Sequence, residues 1–285
     1  TNVLDIQLRT ETFLAATPVI SRLTNGLPIV RARTGAMPPR FGTLPGSSNQ
    51  WSFFVFTNLQ SNTPQGVGLT NGQFVAFLTF GAMNLARPRE AGADIDLYAT
   101  TDPGITNLNP VAVQNSLKSV KPGGTETIVL TNAPLGAVYY LAVKAEDQQG
   151  AEFTIAGLSS NQPFDQDDGQ GNRIVRGVPN FVPIPDGSPD EPQVGYVFGI
   201  VTTSFPVRQV TVTNTVSFDS TGDLLFNLAH ETSFAVLGNH ELDPFGRGGV
   251  ETTVYDDSGA GVGIGQVFGK PSDGPGTLQS FVGME

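Results

Sequence analysis

The sequence predicts an all-β protein built from two tandem β-sandwich domains. The chain has 285 residues, which is long enough for two domains of about 100 to 150 residues each. Gly (34) and Pro (21) are abundant and no long run of Ala, Leu, Glu and Lys occurs, so helices are disfavoured. Short segments rich in β-branched and aromatic residues are separated by turn residues, which is typical of sandwich strands.

Residues 1–22 predict a strand followed by a connector. Apolar residues alternate with polar ones in V-L-D-I-Q-L-R at 3–9, which is the period of a strand with one buried face. We expect this segment to act as a donor strand, and its apolar residues are Val3, Leu4, Ile6 and Leu8.

Residues 23–160 predict the first sandwich. The segments dense in aromatic residues, 51–56 and 74–80, are expected to be covered on both faces. The predicted strands are W-S-F-F-V-F (51–56), F-V-A-F-L-T-F (74–80), D-I-D-L-Y-A (94–99), T-E-T-I-V-L (125–130), V-Y-Y-L-A-V-K-A (138–145) and E-F-T-I-A-G-L (152–158).

Residues 161–192 predict an acidic, Pro-rich linker, because Pro and Asp dominate and the apolar period disappears. The second sandwich is then predicted at 193–285, with strands at 196–201, 233–237 and 251–255.

The best-defined element of the second sandwich is predicted at 210–228. Alternating apolar residues on both sides of a Gly-Asp turn indicate a β-hairpin with one buried face. We expect this hairpin to accept a strand, and its inward residues are Val210, Val212, Val216, Phe218, Leu224, Phe226 and Leu228.

The first sandwich resembles the bacterial pre-peptidase C-terminal domain, a small secreted β-sandwich that is appended to proteases and found in large surface proteins. The resemblance rests on the order of L-T-N-G-L-P at 23–28, the W-S-F-F-V-F strand, A-D-I-D-L-Y-A at 93–99, T-E-T-I-V-L, and V-Y-Y-L-A-V followed by E-F-T-I. It covers about 135 residues.

The second sandwich is similar to the P domain of proprotein convertases, a jelly-roll module. The motifs are T-V-T-N-T-V-S-F-D-S-T-G-D-L-L-F-N-L at 211–228, T-T-V-Y-D-D-S at 252–258 and P-S-D-G-P-G-T-L-Q-S-F-V-G at 271–283. Two positions depart from the family: Asn214 replaces a histidine, and Ala229-His230-Glu231 replaces a proline-containing loop.

The resemblance implies two further strands after Glu285, so the module is expected to lack its last strands. Residues 1–9 resemble the closing strand of such a domain. The chain is therefore either an excerpt of a longer tandem protein, or one subunit completes the sheet of its neighbour. The second alternative predicts head-to-tail self-association into a filament.

Composition disfavours several functions. A net charge of −11 with scattered Lys and Arg argues against nucleic-acid binding. The absence of cysteine removes disulfides, thiol catalysis and Cys-ligated zinc. No run of about 18 apolar residues occurs, so no membrane insertion is expected, and we expect any signal peptide to have been removed already.

Catalysis is not predicted. The two histidines, His230 and His240, lie in neither a nucleophile-elbow context nor a helical i, i+4 pair, and no G-x-S-x-G occurs. Surface loop positions are the expected role for both, and a metal site with Glu231 or Glu241 is the weaker alternative. We expect no enzyme activity.

Calcium is the candidate cofactor. For the first group of residues, carboxylate and amide oxygens recur around glycines, as a hard cation requires. For the second group, calcium is implied by the resemblance to the P domain, whose members often carry it. The alternatives are a solvated acidic linker for the first group of residues and turn capping for the second. The first group is Asp165, Asp167, Asp168 and Asn172, and the second is Asp219, Asp223, Asp256 and Asp257.

Two functions from different classes remain open. One is a non-catalytic structural or adhesive protein at the bacterial cell surface or outside the cell, a module or subunit of an array or filament. The other is the accessory C-terminal region of a secreted protease or hydrolase. A carbohydrate or protein ligand is not specified by the sequence.

Overall fold

The structure is a computed structural model that describes residues 18–35, 50–58, 74–85, 92–146, 150–188, 190–219, 224–231, 233–240, 249–259 and 269–284. It divides into two compact units, Thr1–Thr202 and Thr203–Glu285. The described residues are nearly all strand and turn, with one short helix, α1 (Pro110–Asn115), and two 3-10 turns (Pro103–Asn107 and Leu278–Phe281). The predicted all-β fold class is confirmed. None of the helices in these ranges has the length and apolar character of a membrane span.

Unit 1 contains two large sheets that form a sandwich. Their strands are, in chain order, β1 (Ile20–Leu23), β2 (Ile29–Thr34), β3 (Trp51–Thr57), β4 (Phe74–Asn84), β5 (Ile95–Thr100), β6 (Leu117–Ser119), β7 (Glu126–Leu130), β8 (Val138–Ala145) and β9 (Ala151–Ser160). The first sheet has the order β1-β3-β8-β5-β6 and the second has the order β2-β9-β4-β7. β1 runs parallel to β3, and the other pairs are antiparallel. Each of the six predicted strand segments overlaps one of these strands.

The core of unit 1 lies between the two sheets. Phe56 on β3 meets Phe77 on β4 edge to face, with ring centroids 5.5 Å apart, and Phe77 also contacts Tyr139 on β8 at 5.4 Å. Successive residues of a strand point to opposite faces, so Val75 and Phe77 enter this core while Ala76 and Leu78 face outward. The outward residues are also buried, which confirms the expectation that the segment is covered on both faces.

The L-T-N-G-L-P segment forms a turn that is attached to β9. Leu27 N–H donates to the Thr24 carbonyl (3.1 Å), and Gly26 N–H donates to the Gly157 carbonyl (3.0 Å). Gly26 has φ = 73°, and a Cβ there would clash with the ring of Pro179. Glycine is therefore required both by the left-handed backbone and by the close approach.

Residues 161–192 are not a free linker, which corrects the prediction from composition. They contain β10 (Asp165–Asp167) and β11 (Arg173–Val175), which pair with each other, and β12 (Gly177–Val178). β12 pairs with β13 (Phe198–Gly199), so 196–201 belongs to unit 1 and not to the second sandwich.

Residues 161–202 cover the outer face of the β2-β9-β4-β7 sheet. Phe164, Val178, Phe198 and Ile200 are buried against outward-facing residues of β4 and β9. Four buried apolar side chains among prolines and acidic residues are too widely spaced to show a period in the sequence, and this is why composition predicts a linker.

Unit 2 contains two two-stranded sheets among its described residues. Its strands are β14 (Thr211–Phe218), β15 (Leu225–His230), β16 (Ser233–Asn239) and β17 (Gly249–Asp256). β14 pairs with β17 and β15 pairs with β16, both antiparallel.

The predicted hairpin at 210–228 is therefore wrong in its pairing, because β14 and β15 lie in different sheets. The shared face is nevertheless as predicted: Val210, Val212, Phe226 and Leu228 all pack against one core. An apolar period of two reports which face of a strand is buried and does not report its hydrogen-bonded neighbour. The predicted Gly222-Asp223 turn lies outside the described residues.

Candidate functional site

The feature of unit 2 that could bind another chain is the free backbone edge of β14. Among the described residues, β14 has one hydrogen-bonded neighbour, β17, in an uninterrupted register from Thr211↔Asp256 to Phe218↔Gly249. The backbone N–H and C=O groups on the other side of β14 therefore face no described strand. Such a row of groups is a template for pairing with another strand.

The side chains of β14 that point into unit 2 are only half-buried. Val212, Asn214 and Val216 alternate with the exposed Thr211, Thr213 and Thr215. Each of the first three is half-buried, whereas Ala235 and Leu237 on β16, which face the same core, are fully buried. The apolar side chains of β14 thus retain surface that an added strand would cover.

β15 also has only one hydrogen-bonded neighbour among the described residues, β16. Its inward side chains, Phe226 and Leu228, are half-buried like those of β14. Leu224 is half-buried as well, and the side chain of Phe218 is outside the described residues. Of the predicted acceptor residues, Val210, Val212, Phe226 and Leu228 pack against the same core, and Val216 and Leu224 are half-buried.

Residues 269–284 close another part of unit 2. Gly274 N–H donates to the Val236 carbonyl (3.0 Å), and Ala235 forms a bridge with Gly276. Leu278 and Phe281 from the following 3-10 turn are buried in the core. One sheet edge of β16 is therefore occupied. Lys270 bonds the outer edge of β17 at Val254 and Asp256, and Gly283 and Met284 bond Val207, which precedes β14. Along Thr211–Phe218 itself, β14 keeps a free edge among the described residues.

Asp257 fixes this closing segment. One carboxylate oxygen accepts from Ser272 N–H (2.6 Å), and the other accepts from the Ser272 hydroxyl (2.6 Å), the Thr277 hydroxyl (2.5 Å) and Leu278 N–H (2.6 Å). Partial burial acts to raise the pKa of Asp257, but these hydrogen bonds outweigh burial and lower it to about 2. The carboxylate is anionic and serves as a structural tie.

Among the described residues, the other predicted ligands of the second group form no metal-binding cluster with Asp257. Asp256 is buried and accepts from Gln209 (3.2 Å) and Ser258 N–H (2.9 Å) through one oxygen, while its second oxygen has no hydrogen-bond partner. Asp219 is exposed, and Asp223 lies outside the described residues.

The first group of predicted ligands caps a turn between β10 and β11. Asp165 is buried and accepts from Thr202 N–H (3.0 Å) and the Thr202 hydroxyl (2.6 Å). Asp167 accepts from Gly169 N–H (2.7 Å). Asp168 accepts from the Asn172 amide (2.8 Å) and from Gln170 N–H (2.8 Å), and the hydrogen bond from Asn172 is the largest contribution that lowers its pKa.

Asp167 and Asp168 thus cap a turn, whereas the alternative to calcium that the sequence gives for this group is a solvated acidic linker. Within the described ranges, no three His, Asp or Glu side chains come close enough together to hold a metal ion.

The histidines are on the surface of unit 2. His230 ends β15 and is exposed, and the Nδ1 atom of His240 lies 2.7 Å from the side-chain oxygen of the adjacent Asn239. The expected loop position is accurate for His240, whereas His230 belongs to a strand.

Two buried carboxyl groups in unit 1 were missed by sequence reasoning. Asp96 on β5 is 3% exposed and accepts from the Tyr98 hydroxyl (3.2 Å). Glu126 on β7 is fully buried, and neither carboxylate oxygen has a hydrogen-bond partner.

Burial is the main cause that raises the pKa of each group, and in Asp96 the charge of Glu146 adds to it. One feature of the sequence could have indicated that Glu126 is buried: it lies two residues before Ile128, so both side chains point to the same, otherwise apolar face of the strand.

The predicted donor residues Val3, Leu4, Ile6 and Leu8 lie outside the described residues. Their role stays a prediction from the sequence.

Comparison with solved structures finds a similarity to the pre-peptidase C-terminal domain of a collagenase from Bacillus anthracis, a crystal structure at 1.0 Å. The sequences are 11% identical, the match covers 49% of this chain and 95% of that chain, and the TM-score is 0.28. A likeness at this level does not establish a family. No family model matches the chain, and no curated protein matches it.

Proposed function

We propose that this chain is a non-catalytic extracellular structural protein, a module or subunit of a bacterial surface array or filament. In this proposal, copies associate head to tail by strand addition at unit 2. The observation that carries the proposal is the pair of two-stranded sheets whose outer strands, β14 and β15, have no second neighbour among the described residues.

The energetic argument is that an isolated two-stranded sheet is marginal in water. Unit 2 contains two such sheets among its described residues, and the half-buried Val210, Val212, Phe226 and Leu228 surround its small core. An added strand would satisfy backbone groups along an edge and would remove apolar surface from water, at roughly 25 cal/mol per Å² of apolar area. Association is therefore expected to stabilise unit 2.

The direct test is the size of the purified chain in solution and by negative-stain electron microscopy. We expect the intact chain to form particles or filaments larger than a monomer, and deletion of residues 1–9 to abolish them. A control chain in which residues 3–9 are scrambled, so that composition is kept and alternation is lost, should also fail to assemble. A monomeric intact chain, or unchanged assembly after the deletion, would contradict the proposal.

The accessory region of a secreted protease or hydrolase is the second candidate, favoured by the sequence resemblance of residues 23–160 to a domain that is appended to proteases. The coding sequence that flanks this chain separates the two. A protease domain in the same reading frame would support the accessory role, and repeated copies of these modules would support the structural one.

Calcium binding at 165–172 stays a prediction, with a solvated acidic linker as its alternative from the sequence and with the turn capping by Asp167 and Asp168 as the role that the contacts support. If a site is occupied, thermal unfolding with a chelator should occur several degrees lower than with calcium, because a ligand that binds only the folded state stabilises it. Asp168→Asn should remove that difference. Equal unfolding temperatures with chelator and with calcium would leave turn capping as the role of these residues.

A further inference from the structure

We infer that the open edge of β14 binds residues 3–9 of a second copy of this chain as an added β-strand. This inference rests on the proposed function, since it names the acceptor edge and the partner segment of the same association. It replaces the predicted hairpin acceptor with one strand, Thr211–Phe218.

The choice of β14 over β15 follows from how edge strands are normally protected. Natural edges carry charged residues, proline or bulges that prevent pairing with other chains. β14 has eight residues, T-V-T-N-T-V-S-F, with no charged residue, no proline and no break in its register with β17. β15 is two residues shorter, and its pairing with β16 shifts register between Phe226 and Asn227.

The exposed side of β14 is also suited to a neighbouring strand. Thr211, Thr213, Thr215 and Ser217 form its outward face, and the Thr215 hydroxyl lies 2.9 Å from the hydroxyl of Thr252 on β17. Threonine ladders of this kind stabilise sheets through cross-strand pairs. β14 therefore has the residue types of a strand that is paired on both sides, but it has only one neighbour among the described residues.

Residues 3–9 match this edge in length, pattern and charge. Seven residues extend about 23 Å and the eight of β14 about 26 Å at strand geometry. Leu4, Ile6 and Leu8 alternate with polar residues, as needed to place apolar side chains next to the half-buried Val212 and Val216. Asp5 and Arg9 cancel in charge, so pairing with an uncharged strand leaves no net charge at the edge.

A second alternating stretch outside the described residues, A-G-V-G-I-G-Q-V-F at 260–268, could compete for the same edge. Its alternate residues include Gly261, Gly263 and Gly265, and glycine weakens a strand through backbone entropy and missing side-chain contacts. Residues 3–9 contain no glycine and are the better strand former.

The test uses the absence of native cysteine. Gln7→Cys is mixed with a second chain that carries one outward cysteine, Thr211→Cys, Thr213→Cys or Thr215→Cys, and the mixture is assembled and oxidised. Cysteines on adjacent strands can form a disulfide when their Cα atoms lie within about 7 Å. We expect a covalent dimer of the two variants on a non-reducing gel with at least one acceptor position.

The matched control is Thr252→Cys on β17, which is opposite Thr215 and exposed on the same face. It lies one strand further from the edge, about 10 Å from an added strand, which is beyond disulfide reach. Cross-linking at Thr252 as strong as at the β14 positions would overturn the inference.

The remaining outcomes separate the inference from the proposed function. Assembly without cross-linking to any β14 position overturns the inference and leaves the proposed function standing. A link found only within one chain, in the double variant Gln7→Cys with Thr213→Cys, shows that the segment closes its own edge and overturns binding to a second copy. A chain that stays monomeric contradicts the proposed function and the inference together.

Discussion

Asp257 is the residue on which the closed side of unit 2 depends. Its carboxylate receives four hydrogen bonds from the closing segment and has a pKa lowered to about 2. A group whose folded pKa is depressed contributes stability above its unfolded pKa, near 4, and that stability is lost as the pH falls towards 2. Unit 2 is therefore expected to be acid-sensitive.

Asp257→Asn should lower the stability of unit 2 at pH 7 by on the order of 1–2 kcal/mol, because an amide cannot accept the four bonds in the same way. The difference from the native chain should shrink as the pH approaches 2, where the native carboxylate is also becoming neutral. Denaturant unfolding at pH 7 and pH 3 measures both effects. Asp219→Asn, at an exposed position, is the control and should leave stability unchanged.

Glu126 has the opposite dependence on pH. Burial raises the pKa of its carboxyl group, so the folded state favours the protonated form. A raised pKa in a folded acid gives stability that is present below the unfolded pKa and declines as the pH rises above it. The charged form of Glu126 therefore costs stability at neutral pH.

Glu126→Gln should stabilise unit 1 at pH 7 by about 1 kcal/mol or more, because it removes a buried charge that burial disfavours in the folded state. That gain should disappear below about pH 4, where the native group is protonated in both states. Thermal unfolding across this pH range gives the measurement, with the exposed Glu191→Gln as control. A variant less stable than the native chain at pH 7 would show that Glu126 has a stabilising partner as an anion.

At the scale of elements, the sequence predicts strands well and their partners poorly. Short segments rich in β-branched and aromatic residues locate β3, β4, β5, β7, β8 and β9, and the segments predicted at 210–228, 233–237 and 251–255 locate the four strands of unit 2. Pairing depends on contacts between distant segments: β14 joins β17 across more than thirty residues, and nothing within 210–228 specifies that choice. The cover formed by residues 161–202 escaped prediction because its buried residues follow no period.

The candidate site was predicted in part for the same reason. The apolar face of Val210, Val212, Phe226 and Leu228 followed from alternation, whereas the open edge could be found only once the neighbours of β14 and β15 were known. The role of Asp257 also required the fold, since its partners Ser272, Thr277 and Leu278 are 15 to 21 residues away in sequence.

The close approach of β9 to β3 provides a test of the sandwich. A Cβ on Gly157 would lie 2.6 Å from Cδ2 of the buried Phe56. Gly157→Ala should destabilise unit 1 by about 1–3 kcal/mol, the usual cost of overpacking a core. Gly249→Ala, where a Cβ would meet no atom within 4 Å, is the control. Equal thermal stability of both variants would contradict the packing described between the two sheets.

In the whole molecule, the two units differ in how complete their cores are. Unit 1 is a sandwich with a continuous core between two sheets of five and four strands and a further apolar cluster on each outer face. Unit 2 has a smaller core and two open edges among its described residues. We therefore expect unit 1 to be stable in a single copy, and the stability of unit 2 to increase with protein concentration as copies associate.

The most direct test of strand addition is the solution mass of two matched variants, measured by light scattering over a range of concentrations. Ile6→Asp and Gln7→Asp add the same charge to the same segment, but only the first places it among the apolar residues Leu4 and Leu8. We expect Ile6→Asp to be monomeric and Gln7→Asp to assemble like the native chain. Assembly of both variants to the same mass would contradict strand addition by residues 3–9.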